Sequence, residues 1–438
     1  MNPLALELNR IIGEHNPPVL DMLSEVGKQL FFPKGILSQS AEAKEKAHRI
    51  NATIGIAKES GNIMCFDTIM APLTGIEASE SLTYAPSFGI PELREQWRTA
   101  LFTKNPSLAG KTVSVPVVTC GVTHAVSLFA DVWVDPQDVV ILPDLMWGNY
   151  NMILQVRKGA RMSHYPLFSD RGGFNLEGFA STVQKEASQN KKIIVLLNFP
   201  QNPTGYSISR AEAGAIVRIL VETAKAGTQV IAALDDAYFG LFYEEQTLKE
   251  SLFALLADQH PNLLAVKLDG GTKEYFIWGL RVGFITYGTT AASDSKMFYT
   301  ALEKKTAGAV RGSISNASHL SQRLLLSSMR DSRNQAEREA KFTILKARAV
   351  KVKEVLAESK YRDAWTVYPF NSGYFMCLKL KQVEAEPLRV HLLERYGVGL
   401  IALGQFDLRV AFSCIDEDQV RELFDTILLG IQDLQVDG

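Results

Sequence analysis

Short apolar runs recur through the middle of the chain, and a helical pattern follows most of them. Each run is short enough to be a strand buried on both faces, and this repeated strand–helix order predicts a mostly parallel sheet covered by helices. The predicted strands are Val115–Thr119, Val139–Leu142, Met162–Leu167, Ile193–Leu197, Val230–Leu234 and Leu263–Leu268, with one more starting near Arg281. The fold class is therefore α/β.

The last third of the chain has a different pattern. A long charged helix is predicted over residues 332–358, and short strands follow at Tyr374–Leu380 and Asp407–Ser413. The terminal segment has an apolar stripe at helical spacing, preceded by a capping-box pattern at Asp416 and Gln419. This order predicts a smaller α+β domain.

These patterns divide the chain into three parts. We predict an N-terminal arm and part of the small domain at 1–60, a large domain at 61–310 and the small C-terminal domain at 311–438. In the arm, the spacing of Leu20, Leu23, Val26 and Leu30 predicts one helix that ends before Pro33.

Composition excludes several classes of protein. The 438 residues carry a net charge of −2, so no electrostatic footprint for nucleic acid is present. The four cysteines are scattered without metal-ligand spacing, which indicates reduced thiols and no metal site. No uncharged run approaches membrane-spanning length. We therefore expect a cytoplasmic protein without a membrane or nucleic-acid partner.

Polar residues cluster after the predicted strands, where ligands bind in open α/β sheets. Lys273 follows an apolar strand and Gly270-Gly271, and a desolvated lysine amine there can form a Schiff base with an aldehyde. Gly121-Val122-Thr123 opens a helix and so offers an anion site. Asp235 ends a strand, where a carboxylate needs a cationic partner. The ordinary alternatives are that Lys273 is a solvated loop lysine, that Gly121 only allows the backbone to turn, and that Asp235 caps a helix.

Three further residues extend this set. Trp147 offers a flat face for stacking on a ring, and Arg281 and Arg409 lie in or beside apolar strands, where an arginine needs an anion. Taken singly, each of them has an ordinary structural explanation. Together, an imine-forming lysine, an anion cradle, a stacking ring, a carboxylate and a carboxylate receptor are what pyridoxal phosphate requires.

The motifs that carry these residues resemble those of the fold-type I pyridoxal-phosphate aminotransferases, class I/II, especially the aspartate and aromatic aminotransferases. The resemblance covers roughly residue 50 to the end. It implies that Lys273 is the Schiff-base lysine, with Arg281 of Gly279-Leu280-Arg281 on the phosphate. Asn202 in NPTG resembles the family's donor to the cofactor's phenolic oxygen. Asp235 and Tyr238, in D-x-A-Y, resemble the carboxylate on the pyridine nitrogen and a second phenolic-oxygen donor.

The resemblance assigns five more positions. Trp147 in WGN resembles the ring-stacking aromatic residue, and Gly121-Val122-Thr123 the phosphate loop. Tyr84 in Y-x-P-x-x-G resembles the tyrosine that reaches the phosphate of the neighbouring subunit. Arg409 in LRVAF resembles the receptor for the substrate α-carboxylate, and Gly55 is a looser match to a glycine near it.

The resemblance also implies a substrate, and the chain departs from the family's pattern at one position. Arg311, in R-G-S-I-S-N, is similar to the arginine that binds a distal carboxylate across the dimer of dicarboxylate aminotransferases; a surface arginine is the alternative. The family often has Ser-x-Ser/Thr before the lysine, whereas this chain has Gly270-Gly271-Thr272. We therefore expect the phosphate to lose one hydroxyl donor and to be held by Thr272, Arg281, Tyr84 and the backbone.

The resemblance implies an activity and an assembly. We expect a homodimer with active sites at the subunit interface, which moves an amino group from an L-amino acid, aspartate or an aromatic one, to a 2-oxo acid such as 2-oxoglutarate. The cycle would be ping-pong, through pyridoxamine phosphate. Two alternatives stay open, a pyridoxal-phosphate-dependent C–S β-lyase and a non-catalytic regulator that binds the cofactor. A nicotinamide-dependent reductase lacks its G-x-G-x-x-G signature.

Overall fold

A central seven-stranded sheet is built from the apolar runs of the middle of the chain. The computed structural model describes residues 1–33, 35–291 and 295–436. From edge to edge, the sheet strands are Val117–Thr119, Gly283–Gly288, Leu263–Gly270, Gln229–Asp235, Lys192–Asn198, Val139–Pro143 and Arg161–Tyr165. The strand Gly283–Gly288 runs antiparallel to both neighbours, and the other neighbouring strands pair in parallel. The predicted mostly parallel sheet is confirmed.

The central strands of this sheet are buried on both faces, because their middle positions are mostly apolar. In the strand Lys192–Asn198, Ile194 and Leu196 belong to one hydrophobic core, while Ile193 and Val195 belong to the other. Alternate side chains of a strand point to opposite faces, so one apolar run supplies both cores. Helices cover the two faces. In the whole described chain, the helices of eight or more residues are Pro3–His15, Ile36–Lys46, Pro91–Lys104, Gly121–Trp133, Leu176–Gln189, Arg210–Lys225, Ser295–Ser313, His319–Arg330, Asn334–Leu356, Ala385–Tyr396 and Gln419–Val436.

Shorter helical turns connect these elements. They are Pro17–Met22, Glu25–Gln29, Asp67–Met70, Ala71–Thr74, Ala78–Ser81, Pro106–Leu108, Asn151–Val156, Leu252–Leu256, Gly271–Glu274, Ser359–Tyr361 and Phe412–Cys414. The single helix predicted from Leu20 to Leu30 is wrong. The chain forms two short helices there because the Ser24 hydroxyl caps a new helix by accepting from the N–H of Gly27.

A second, antiparallel sheet is built from the last third of the chain. Its strands are Trp365–Val367, Phe375–Leu380, Asp407–Ala411 and Ile401–Ala402, in that order. A separate parallel pair joins Ile50–Asn51 to Val398–Gly399, and a small hairpin joins Lys58–Glu59 to Asn62–Ile63. Residues near 50 therefore contact the C-terminal part. The predicted boundary between residues 310 and 311 falls inside the helix Ser295–Ser313, and the division into domains stays a prediction.

The terminal helix packs as its stripe predicts, but its cap differs. Val420, Leu423 and Phe424 are buried against the core. The Gln419 side chain accepts from the N–H of Asp416 at 3.1 Å, which is half of a capping box. The Asp416 carboxylate instead accepts from Arg348 at 2.6 Å, because that buried guanidinium needs an anion.

Candidate active site

The carboxyl ends of the parallel strands place the predicted site residues around one cavity. The cavity has a volume of about 100 Å³. Its walls include both the predicted residues and three others, in full Val122, Thr123, Trp147, Tyr150, Asn198, Asn202, Asp235, Ala237, Tyr238 and Lys273. Asn198 and Asp235 end neighbouring strands, and Lys273 lies in the turn after the next strand. Residues far apart in sequence are therefore neighbours.

Lys273 is partly buried, with its ammonium 4.6 Å from the centre of the Tyr238 ring. Burial lowers the pKa of this lysine, the charge of Asp235 opposes that effect and Arg281 adds to it, so that the pKa is about 8. The hydroxyl of Tyr374 donates to the Lys273 carbonyl at 3.3 Å and so helps to hold the turn. An amine with this pKa is available as a nucleophile or base near neutral pH.

Asp235 is buried and held from three sides. The Tyr150 hydroxyl donates to Oδ2 at 2.6 Å, and the N–H of Ala237 donates to Oδ1 at 3.0 Å. The Asn198 side chain donates to the Asp235 carbonyl at 2.7 Å. Burial raises the pKa of Asp235, while Tyr150 and Lys273 oppose that rise. A carboxylate at this depth is stabilised by a cation, such as a protonated ring nitrogen.

Arg409 lies on the strand Asp407–Ala411 of the second sheet and is fully buried. It donates to the Thr53 carbonyl at 2.7 Å and to Oδ1 of Asn202 at 3.4 Å, and its guanidinium stacks 4.2 Å from the ring centre of Phe375. Its Nε has no partner among the described residues. Burial lowers the pKa of this arginine, and an anionic ligand would offset that cost.

The residues predicted to hold a phosphate lie together beside the helix Gly121–Trp133. No side chain caps the start of this helix within the described chain, so its first N–H groups are free for an anion. Gly121 has φ +76°, and a Cβ there would lie 2.5 Å from the Arg281 guanidinium. Thr272 Oγ1 is buried and has no hydrogen-bond partner among the described residues. An orphan hydroxyl, an arginine and free amides fit a phosphate.

The structure explains why Gly270 stands where the family often has serine. Gly270 pairs with Gly283, and a Cβ at Gly270 would lie 2.5 Å from the Val282 carbonyl oxygen and 2.9 Å from Gly283 Cα. These are backbone atoms of a neighbouring strand and cannot give way cheaply. No side chain fits at this position without moving the strand.

Two predicted residues lie at the surface and do not line the cavity. Tyr84 is 89 % exposed, and the Arg311 guanidinium is exposed and donates to Ser315 Oγ at 2.6 Å. The two segments that carry them are in contact, because the Ser87 hydroxyl donates to the Ser315 carbonyl at 2.8 Å. Gly55 lies at the other side of the site, where a Cβ would be 3.1 Å from the Phe375 ring and 3.5 Å from the Tyr238 hydroxyl oxygen.

Sequence reasoning missed Tyr150, Asn198 and Tyr374. Tyr150 lies three residues after Trp147, its N–H donates to the Trp147 carbonyl at 3.1 Å, and the two rings meet edge to face with centres 5.3 Å apart. Its spacing from Trp147 was a usable signal, because a turn brings residues three apart close together. Tyr374 gave no such signal, since it belongs to the second sheet and reaches the lysine only through the fold.

The geometry fits a pyridoxal-phosphate site, and comparison with known proteins shows the class of protein. Residues 59–427 match the model of the family described as Aminotransferase class I and II, and the chain belongs to this family. The family depends on pyridoxal phosphate. In the described residues, no helix is both long and apolar enough to cross a membrane.

Individual relatives are distant. The chain is 26 % identical over 202 residues to an aspartate aminotransferase of Sulfurisphaera tokodaii, covering 46 % of this chain and 47 % of that protein. It is 27 % identical over 253 residues to a probable aspartate/prephenate aminotransferase of Aquifex aeolicus, covering 58 % and 60 %. The matched stretches thus span about half the length of the curated relatives.

Solved structures share the whole fold. An aminotransferase from Anaerococcus prevotii matches with a TM-score of 0.82 at 23 % identity, covering 94 % of this chain and 99 % of that one. A kynurenine aminotransferase of Pyrococcus horikoshii, solved in complex with PMP, matches with a TM-score of 0.78 at 17 % identity, covering 95 % and 98 %. At these identities the likeness shows the fold of the pyridoxal-phosphate aminotransferases.

Proposed function

We propose that the protein is a transaminase that moves an amino group between an L-amino acid, aspartate or an aromatic one, and a 2-oxo acid such as 2-oxoglutarate. The observation that carries the proposal is the cavity in which the Lys273 amine, with its lowered pKa, faces Asp235, Asn202 and Tyr238. Membership of the aminotransferase family and the names of the curated relatives support it.

Each residue of the cavity has a role in this proposal. When bound, pyridoxal phosphate supplies an electron sink and carries the amino group between two ping-pong half-reactions. Lys273 Nζ would remove the proton from the substrate Cα as the base and would then, as the acid, deliver it to the C4′ carbon of the cofactor. Asp235 holds a proton on the ring nitrogen, and Asn202 and Tyr238 donate to the phenolic oxygen.

Other residues bind and orient. Trp147 stacks on the ring, while Gly121, Val122, Thr123, Thr272 and Arg281 hold the phosphate. Arg409 binds the substrate α-carboxylate with its free Nε, next to Gly55. Enzymes gain a large part of their rate acceleration by holding the reacting groups in a fixed geometry.

Substrate choice and assembly are linked. Arg311 has no carboxylate partner among the described residues and lies on the face of Tyr84, whose ring is exposed. We infer that this face packs on a second copy, so that Tyr84 reaches the phosphate and Arg311 the distal carboxylate in the partner's cavity. The exposed Leu82 and Ile314 on the same segments support burial in a homodimer.

A half-reaction tests the function. Protein loaded with pyridoxal phosphate, without any 2-oxo acid, is mixed separately with aspartate, glutamate, tyrosine, phenylalanine and alanine. We expect stoichiometric loss of the absorbance of the lysine-bound cofactor, fastest with aspartate or glutamate, and one equivalent of oxo acid. Conversion by aromatic or neutral amino acids alone would remove the dicarboxylate proposal. Continuous release of pyruvate and ammonia without an acceptor would replace transamination by a lyase.

Complementation tests the shared site. The variants Lys273→Ala and Arg311→Glu are each expected to be weakly active with aspartate and 2-oxoglutarate. Mixed dimers would contain one cavity with both an intact Lys273 and a partner's intact Arg311, so activity should return when subunits exchange. No recovery in mixed dimers shown to form would contradict the role of Arg311 across the interface.

A further inference from the structure

A second cleft lies outside the cavity of Lys273, and its walls are cationic. Its volume is about 450 Å³, within the range of small-molecule sites. We call it the cationic cleft and define it by Lys104, Lys249, Arg338 and Lys346. Among the described residues, none lines both this cleft and the cavity of Lys273.

The cations come from three separate elements. Lys104 ends the helix Pro91–Lys104, and Lys249 lies before the helix Leu252–Leu256. Arg338 and Lys346 belong to the helix Asn334–Leu356. They lie eight residues apart, so they share one face of that helix. Three elements therefore converge with positive charge on one space.

The carboxylates of the cleft do not balance this charge. Lys104 and Arg338 converge on a single oxygen, Oε1 of Glu274, at 2.6 and 2.5 Å. Glu244 forms an ion pair with Lys353, which is not part of the cleft. Glu245 is exposed at the rim and has no ion pair within the described chain. One carboxylate thus serves two of the cations.

The remaining two cations have no carboxylate within ion-pair distance in the part of the chain that the structure describes. Lys249 donates to the main-chain carbonyls of Phe242 and Glu244, which carry no charge. Burial and the neighbouring Lys346 lower the pKa of Lys249, while the charges of Glu244 and Glu245 oppose that effect. An anion between the two lysines would offset both effects. The Phe342 ring lies between Arg338 and Lys346 on the same helix and forms an apolar part of the wall.

We propose that the cationic cleft binds a small molecule with two or more adjacent anionic oxygens, as in a diphosphate or a polycarboxylate. The four cations of the cleft outnumber its two carboxylates, Glu244 and Glu245, and an excess of one sign of charge in a cleft concentrates ligands of the opposite sign. The cleft also contacts the catalytic turn, because Glu274 directly follows Lys273. The binding claim does not depend on the proposed function.

Calorimetric titration of the pyridoxal-phosphate-loaded protein tests the site, since the cofactor then fills the phosphate site of the cavity. The probes are sodium pyrophosphate and sodium citrate at constant low ionic strength. We expect saturable binding of one equivalent of at least one probe. Pyrophosphate alone would indicate a phosphorylated ligand, and citrate alone a carboxylate. No saturable heat with either would overturn the proposal.

Paired variants locate the binding. Lys249→Ala/Lys346→Ala should weaken binding about tenfold or more, because two charge-assisted contacts are lost. Lys44→Ala/Lys305→Ala removes the same charge from exposed positions without ion pairs in the described residues, and should change affinity less than about twofold. Glu245→Gln removes a repelling carboxylate and should tighten binding. Equal affinity in both double variants would place the ion elsewhere and overturn the proposal.

Discussion

Two buried regions of this protein each hold a lysine, six residues apart in sequence, with opposite properties. Lys267 is 1 % exposed and lies between Asp236 at 2.6 Å and Asp269 at 2.9 Å. Burial alone would lower its pKa, but these two carboxylates raise it far above the ordinary value. Lys273 has no carboxylate at contact distance among the described residues, and its pKa falls to about 8.

The comparison shows that burial alone does not make a nucleophile. Lys267 is the more deeply buried of the two and stays charged, because its ammonium is paired with the carboxylates of Asp236 and Asp269. Asp269 also accepts from Trp97 Nε1 at 3.2 Å, and Asp236 from Ser251 at 2.6 Å, so the region around Lys267 is a satisfied network. The region around Lys273 leaves Thr272 and Arg409 with unpartnered donors, which is typical of a ligand site.

The largest effect is expected at Lys273. Lys273→Ala removes the amine that moves the proton, so kcat for transamination should fall by at least about 10⁴-fold. Steady-state assay with aspartate and 2-oxoglutarate measures it. The melting temperature should stay close to that of the wild type, because no ion pair is broken. Near-normal turnover would contradict the proposed role.

The next effect is on stability, at the paired lysine. Lys267→Met leaves two buried carboxylates without a cation, which should cost about 3–5 kcal/mol of unfolding free energy in urea titration. The control is Lys225→Met, which breaks the exposed pair with Glu222 and should cost less than about 1 kcal/mol. Equal losses in the two variants would show that Asp236 and Asp269 do not need Lys267.

A pH dependence follows from the lowered pKa of Lys273. Below pH 8 the amine is largely protonated and cannot attack a carbonyl, so the rate constant for attachment of pyridoxal phosphate to the cofactor-free protein should rise with pH. The rise is about tenfold per pH unit and levels off above about pH 8. Stopped-flow absorbance measures it.

A matched variant tests the cause of that profile. The charge of Asp235 raises the pKa of Lys273, so Asp235→Asn should move the plateau to lower pH. A plateau that stays near pH 10 in the wild type would mean that Lys273 is solvated like an ordinary lysine. An unchanged plateau in the variant would show that the charge of Asp235 does not affect the pKa of Lys273.

The smallest effect is expected at Tyr150, the residue that holds Asp235. Tyr150→Phe removes one hydrogen bond to a buried carboxylate, which is worth about 1.5–3 kcal/mol, so the rate should fall roughly ten- to a hundredfold. The absorbance spectrum of the loaded enzyme should shift with it. Tyr165→Phe is the control, since its buried hydroxyl has no hydrogen-bond partner among the described residues. Equal activity of the two variants would argue against a role for Tyr150.

The sequence predicted much of this molecule because its strong patterns are local. The apolar runs predicted the strands of the central sheet, and the positions of Asp235, Asn202 and Lys273 after those runs predicted a common edge. The helix around Leu20–Leu30 was mispredicted because the Ser24 cap competes with the apolar stripe. Where Tyr84 and Arg311 act stays a prediction, since both lie exposed in the single chain.

The sequence by itself determined the order of strands and helices that brings Asn202, Asp235 and Lys273 to one edge of the sheet. Only the tertiary structure decided which of the two lysines has a pKa lowered to about 8. That choice depends on distances from Lys267 to Asp236, which is 31 residues away in sequence, and on the absence of such a partner at Lys273. The tertiary structure also explains Gly270, because the neighbouring backbone leaves no space for a side chain. Electrostatic and steric effects act through space, so spacing along the chain does not record them.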